Sequence, residues 1–192
     1  MNKLKRSNKI LEVRPYENKD FKSWQNAFLN ISAKPRNKYD IIKPRDAKKL
    51  TLRNFNKTLK MHAKNRKDDF YYSFGIFLRD GTMVGHVSIM DVSRGIFQNA
   101  YLGYSLMNSH WGKGYGKQAV KFALDIAFKD LKLHRVEAGI EPKNTRSIAL
   151  AKSVGLRREG FSKKRLFLRG KWEDIVQYVA LSEEYKVKII PT

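Results

Sequence analysis

The chain of 192 residues contains no cysteine. Disulfides, thiolate metal ligands and a cysteine nucleophile are thereby excluded. There is no apolar run of about 18 residues, so no spanning helix is predicted. Carboxylates are scarce: 18 Asp and Glu stand against 40 Lys and Arg, a net charge of +22. Such a field attracts polyanions and repels small cations. Polyamines, aminoglycosides and free histone-like tails are therefore poor candidate substrates. Two sources of the charge stay open, a lysine-rich genome or work beside RNA. The start, Met-Asn-Lys-Leu-Lys-Arg, is basic but lacks the apolar stretch of a signal peptide. A cytoplasmic protein without membrane contact is expected. The length suits one domain over residues 1–181, followed by a frayed tail over 182–192. No internal repeat or low-complexity linker interrupts it.

What is present centres on residues 100–131, which read as strand, glycine-rich turn and helix. Tyr101 to Leu106 is aromatic and apolar, a half-buried strand. Gly112, Gly114 and Gly116 alternate with Lys113, Tyr115 and Lys117. After them Val120, Ala123, Leu124, Ala127, Phe128 and Leu131 recur at helical spacing on one face. This arrangement favours an anion. The first N–H groups of a helix lack internal partners and carry partial positive charge. Glycines remove Cβ atoms, so a phosphate can approach the backbone. The competing reading is a plain glycine turn joining a strand to a packed helix. A Walker loop does not fit, because Gly116-Lys117 is followed by Gln118. The dinucleotide fingerprint does not fit either, since the spacing is G-x-G-x-G rather than G-x-G-x-x-G.

Around this stretch the pattern alternates strands and helices. Ile10–Val13 reads as a strand, Asn18–Ile31 as a helix capped by Asn18, and Asp46–Arg66 as a second helix crowded with lysines. A loop over 32–44 joins the two helices, which are placed to wall a substrate site. Asp69–Leu78 and Met83–Asp91 form a hairpin about Asp80-Gly81. His134–Ile140 is a further strand, Asn144–Val154 a helix ended by Gly155, and Arg158–Leu168 pairs with Trp172–Leu181 around Arg169-Gly170-Lys171. The predicted class is α+β: one mostly antiparallel sheet of about seven strands with about four helices.

Trp111-Gly112-Lys113-Gly114-Tyr115-Gly116 resembles the acetyl-CoA pyrophosphate loop of the GNAT acetyltransferases, Gln/Arg-x-x-Gly-x-Gly/Ala, departing from it at Trp111. Further segments narrow the likeness: Tyr101-Leu102-Gly103-Tyr104-Ser105, Pro142-x-Asn144-x-Arg146-Ser147 and Gly170-x-Trp172-x-Asp174. In order and spacing they are similar to the RimJ/RimL branch, the ribosomal-protein N-terminal acetyltransferases, and nearest to the RimJ type. The resemblance implies a GNAT fold with acetyl-CoA as co-substrate and no metal. It implies that Tyr104, Ser105 and Leu106 lie on the strand whose edge pairs with the pantetheine amides. Gly112, Lys113, Gly114, Tyr115, Gly116 and Lys117 then hold the pyrophosphate, and Asn144 contacts the pantetheine arm or caps its helix. Ser147 matches the serine proposed to protonate the departing thiolate. A tyrosine acid used elsewhere in the superfamily falls on Ala151. The branch's glutamate base falls on Leu166, so that role does not transfer. Glu141, at the end of its strand, is left as the candidate base, ahead of Asp91, His86 and His134.

The implied acceptor is the N-terminal α-amine of a protein, a ribosomal one, attacking the thioester directly in a ternary complex. Deprotonation at pH 7 costs about 1.2 kcal/mol for an α-amine and about 4.6 for lysine, so a site without an assured base suits the α-amine. The alternatives are a small-amine acetyltransferase or a non-catalytic basic factor bound to RNA or the ribosome. Either a monomer or a dimer is compatible with the sequence.

Overall fold

The computed structural model describes residues 4–30, 34–35, 37–40 and 46–190. Among these, eight strands form one sheet: β1 (Arg6–Ser7), β2 (Leu11–Arg14), β3 (Tyr72–Leu78), β4 (Met83–Ser93), β5 (Asn99–Leu106), β6 (Arg135–Ile140), β7 (Arg157–Leu168) and β8 (Lys171–Leu181). Their order is β1-β2-β3-β4-β5-β6-β8-β7. Every pairing is antiparallel except β5 with β6. The expected count of seven misses β1, which is two residues long and has no periodicity to read. Four helices cover the sheet: α1 (Phe21–Leu29), α2 (Leu52–Lys67), α3 (Tyr115–Asp125) and α4 (Thr145–Ser153).

Two apolar layers hold the sheet between them. One packs α3 and α4 on the central strands, through residues such as Val120, Leu124, Phe74, Val87 and Val136. The other packs Trp24 and Phe28 of α1 and Phe55 of α2 on Phe77 and Met83. Strands β3 and β4 are thus buried on both faces, which is why their sequences run apolar rather than alternating. The apolar stripe of α3 is buried as its spacing predicts. Past Asp125 the helix widens into a π turn over Ile126–Asp130, which lets three consecutive residues, Ile126, Ala127 and Phe128, all face inward.

Several ends differ from expectation. A 3-10 turn, Asn18–Asp20, precedes α1; its cap is Glu17, paired with Asp20 in a capping box, and not Asn18. Ile31 and residues 32–33, 36 and 41–44 of the expected loop lie outside the described residues. The second helix begins later than expected, at Leu52 behind a Thr51 cap, because Asp46 caps a separate turn over Ala47–Lys49. The β7–β8 turn needs only two residues, since Arg169 (φ 52°) and Gly170 (φ 81°) are both left-handed.

The segment after β8, expected to fray, docks instead. Ser182–Tyr185 forms a 3-10 turn, and the Tyr185 ring lies 4.9 Å from that of Phe128. The Tyr185 hydroxyl donates to the Val154 carbonyl at 2.6 Å. Burial pushes this phenol up to about 12, so it remains a donor. Tyr185→Phe should therefore cost about 1–2 kcal/mol by orphaning that carbonyl, and a thermal melt should shift down by about 2–8 °C.

Candidate active site

Strands β5 and β6 run side by side only from Asn99–Tyr101 against Arg135–Glu137. Beyond Tyr101 they part. β6 continues along β8, and β5 continues along β4 as far as Leu106. The β5 edge from Leu102 to Leu106 is thereby left without a β6 partner, and its backbone N–H and C=O groups face a cleft. Backbone groups so placed need pairing, and an extended ligand carrying amides can add to them as a strand does.

The glycine loop closes one end of this cleft. Gly112 and Gly114 both sit at φ 76°, where a side chain is strained. Gly114 is the N-cap of α3 and supplies no side-chain cap. The first amides of an 11-residue helix are therefore left for an anion, with Lys117 on the cleft wall. Gly116 serves packing: a Cβ there would lie 3.3 Å from Leu150 and 3.4 Å from Leu106. Of the six loop residues expected at a pyrophosphate, Gly112, Gly114, Tyr115, Gly116 and Lys117 line the cleft, and Lys113 does not.

Trp111 stands where the GNAT loop carries a polar side chain. The Arg146 guanidinium lies 4.3 Å over its ring, and Arg146 also pairs with Asp40, whose side chain is fully buried. A cation thus reaches the loop from α4, held by an aromatic face and a carboxylate. The sequence reading missed this trio, since Asp40, Trp111 and Arg146 belong to separate segments. The only signal was the Trp itself, an aromatic where a donor is usual.

At the start of α4, the Asn144 side chain accepts from the Ser147 backbone N–H at 3.2 Å. Asn144 is thus a helix cap, and it also lines the cleft. The Ser147 hydroxyl lies 2.9 Å from the Tyr104 hydroxyl. Tyr104 also donates to the Ser147 carbonyl at 3.2 Å. Burial pushes the Tyr104 phenol up, while the Ser147 contact pulls the other way. The phenol stays neutral at physiological pH and can donate. The expected strand residue Tyr104 thus gains a second relation, to Ser147, which sequence spacing does not show.

Glu141 is not brought to the cleft wall. Its side chain is buried, one oxygen accepting from Lys38 at 2.7 Å and the other paired with Arg169. Tyr39, whose ring lies 5.0 Å from the Lys38 ammonium and 5.7 Å from the Arg169 guanidinium, lines the cleft, and Glu141 does not. The Glu141 hydrogen bond holds Lys38 above the ordinary lysine range. A carboxylate so engaged ties a loop to a hairpin. Asp91 sits at a bulge of β4 with φ 51°, and His134 pairs with Glu183 at 3.2 Å on the outside of the sheet. Neither lines the cleft.

Comparison with known proteins agrees with this geometry. The family model described as acetyltransferase (GNAT) domain matches residues 11–157. The probable N-acetyltransferase YjcK of Bacillus subtilis is 38% identical over 125 residues, 65% of this chain and 69% of its own. The [ribosomal protein uS5]-alanine N-acetyltransferase of Escherichia coli is 34% identical over 106 residues, 55% of each chain. The structure of Mycobacterium smegmatis RimJ in complex with CoA-disulfide superposes with a TM-score of 0.75 at 28% identity, covering 91% of this chain and 83% of that one. The splayed strands, the orphan amides of α3 and the cation over Trp111 could together hold an acyl-CoA, with its amide arm along β5 and its phosphates at the glycine loop. The chain belongs to the GNAT acetyltransferases and is an acetyl-CoA-dependent N-acetyltransferase.

Proposed function

We propose that the acceptor is the N-terminal α-amine of a protein, and specifically of a ribosomal protein. One observation carries the chemical half of this reading. Among the described residues lining the cleft, Asp40 is the one carboxylate, and Arg146 engages it. A cleft without a free base suits an amine that loses its proton near neutrality. An α-amine does so with a pKa of about 7.7–8.0, against about 10.4 for lysine. The ribosomal half draws support from the uS5-alanine relative and from the net charge of +22, which disfavours polycationic acceptors.

Acetyl-CoA supplies an activated acyl group, and the residues present do the rest. The β5 edge and α3 amides orient the thioester. The deprotonated amine attacks its carbonyl, and proximity supplies much of the rate. Ser147 hands its proton to the departing sulfur and is reprotonated by the proton that the amine nitrogen sheds on becoming an amide, while Tyr104, a positioning residue, holds the serine hydroxyl in place. Glu141, fixed between Lys38 and Arg169, takes no part in proton transfer and keeps the cleft wall in place.

Thiol release from acetyl-CoA tests the acceptor. Peptides beginning with Ala or Ser should be acetylated. The same peptides blocked at the N-terminus but carrying an internal lysine, and spermidine, should not. With the reactive peptide kcat/KM should rise with pH and level off above about pH 8, the α-amine value. A rise continuing toward about 10.4 would point to lysine instead.

A further inference from the structure

We propose that the outer face of α2 is a docking surface for the phosphate backbone of double-stranded RNA. Helix α2 contains no acidic residue over Leu52–Lys67. Arg53, Lys57, Lys60, Lys64 and Lys67 follow one another at steps of four and three, and all are exposed. That spacing stacks them in one stripe along the helix, spanning about 21 Å from first to last at 1.5 Å per residue. The buried side of the same helix carries Phe55, with Leu59 packed beside it and His62 stacked at 5.7 Å on Tyr16. Residue 53 lies two positions from 55, about 200° around the axis, so the cations point directly away from the core.

The stripe is not spent on internal pairing. Among the described residues, Lys64 alone of the five has an ion-pair partner, Asp68. Five like charges on a rigid rod repel one another, a cost that helix formation does not require and an external polyanion removes. The stripe carries no exposed aromatic ring, so it offers no platform on which single-stranded bases would stack. It offers point charges to a backbone, which positions a protein without reading sequence. Leu52 and Met61 are the large apolar side chains exposed on this helix, and they do not form the continuous apolar face that lying on a lipid surface needs. The choice of RNA among polyanions rests on the ribosomal acceptor proposed above, whose surroundings are RNA. The binding assay reads the surface whether or not that acceptor is correct.

The test is fluorescence anisotropy of the full-length protein with a labelled RNA duplex of about 20 base pairs, titrated across salt concentrations. The variant Arg53→Gln/Lys57→Gln/Lys60→Gln removes three charges that hold no ion-pair partner among the described residues. A control, Lys9→Gln/Lys152→Gln/Lys188→Gln, removes three exposed charges elsewhere. The α2 variant should lose at least tenfold in affinity near physiological salt, and the slope of log K against log salt should fall by about two to three, taking about 0.9 per phosphate. The control should change both far less. Both variants should acetylate a free peptide as the parent does, which shows that they are folded. Equal losses in the two variants would mean a diffuse charge effect and would overturn the assignment. So would tighter α2-dependent binding to polyglutamate or to phosphatidylserine–phosphatidylcholine vesicles than to the duplex.

Discussion

Ser147→Ala should lower kcat by about 10²-fold while leaving the Kd for CoA within about twofold. The size follows from general-acid catalysis, which contributes about 10²–10⁴. A thiolate with an ordinary pKa near 8.5 leaves more easily than an alkoxide, which places the effect at the low end. The substitution is clean because the serine's structural duty lies in its backbone. Asn144 accepts from the Ser147 N–H and caps α4 without the side chain. A thermal melt should therefore stay within about 1 kcal/mol of the parent, as a surface change does. Tyr104→Phe should reduce kcat by about tenfold, since it keeps the ring and removes the hydroxyl that meets the serine hydroxyl at 2.9 Å and its carbonyl at 3.2 Å. In the double variant the two losses should not add, because residues acting through one another are non-additive. Full activity in Ser147→Ala would mean that the thiolate leaves without a protein acid.

Gly114→Val should raise the Kd for CoA by on the order of 10²-fold, the loss expected when about two charge-assisted hydrogen bonds are removed. Nothing lies within 4 Å of the Cβ position, so no protein atom is struck. The effect has two parts. At φ 76° a β-branched residue strains the loop and turns the first α3 amides away. The new side chain would also fill the open space at the loop backbone that the proposed phosphate site needs. Gly114→Asn separates them, because Asn tolerates a left-handed backbone. It should keep the thermal melt near the parent and still weaken CoA by about tenfold, the loss of one such contact. Gly116→Val should act differently again, pressing on Leu150 and Leu106 and so separating α4 from β5. A normal Kd in Gly114→Val would remove the loop from the phosphate site.

These two sites show what a sequence can and cannot disclose. The glycine loop and α3 were legible because helix and turn signals are local: a 3.6-residue stripe and three glycines in five positions. The order of strands followed from breakers such as Asp80-Gly81. The missing pieces are contacts across the chain. Ser147 meets Tyr104 over 43 positions, and Glu141 meets Lys38 over 103. A strand-end glutamate reads as free until a distant loop and a hairpin neutralise it. Trp111 is a bare departure from the loop pattern in sequence, because the Arg146 that stacks upon it lies in another segment. The docking of Tyr185 was hidden in the same way, since its partners Phe128 and Val154 lie in other elements.

The central claim, acetyl transfer to a ribosomal protein's α-amine, is tested most directly by mass spectrometry of intact ribosomal proteins. Ribosomes would be compared from cells with the enzyme, without it, and with Ser147→Ala in its place. The account predicts one or a few proteins lighter by a single N-terminal acetyl group when the enzyme is absent, with acetylation strongly reduced in the variant. Unchanged N-termini across the set, with acetyl-CoA still consumed by a small amine, would contradict it.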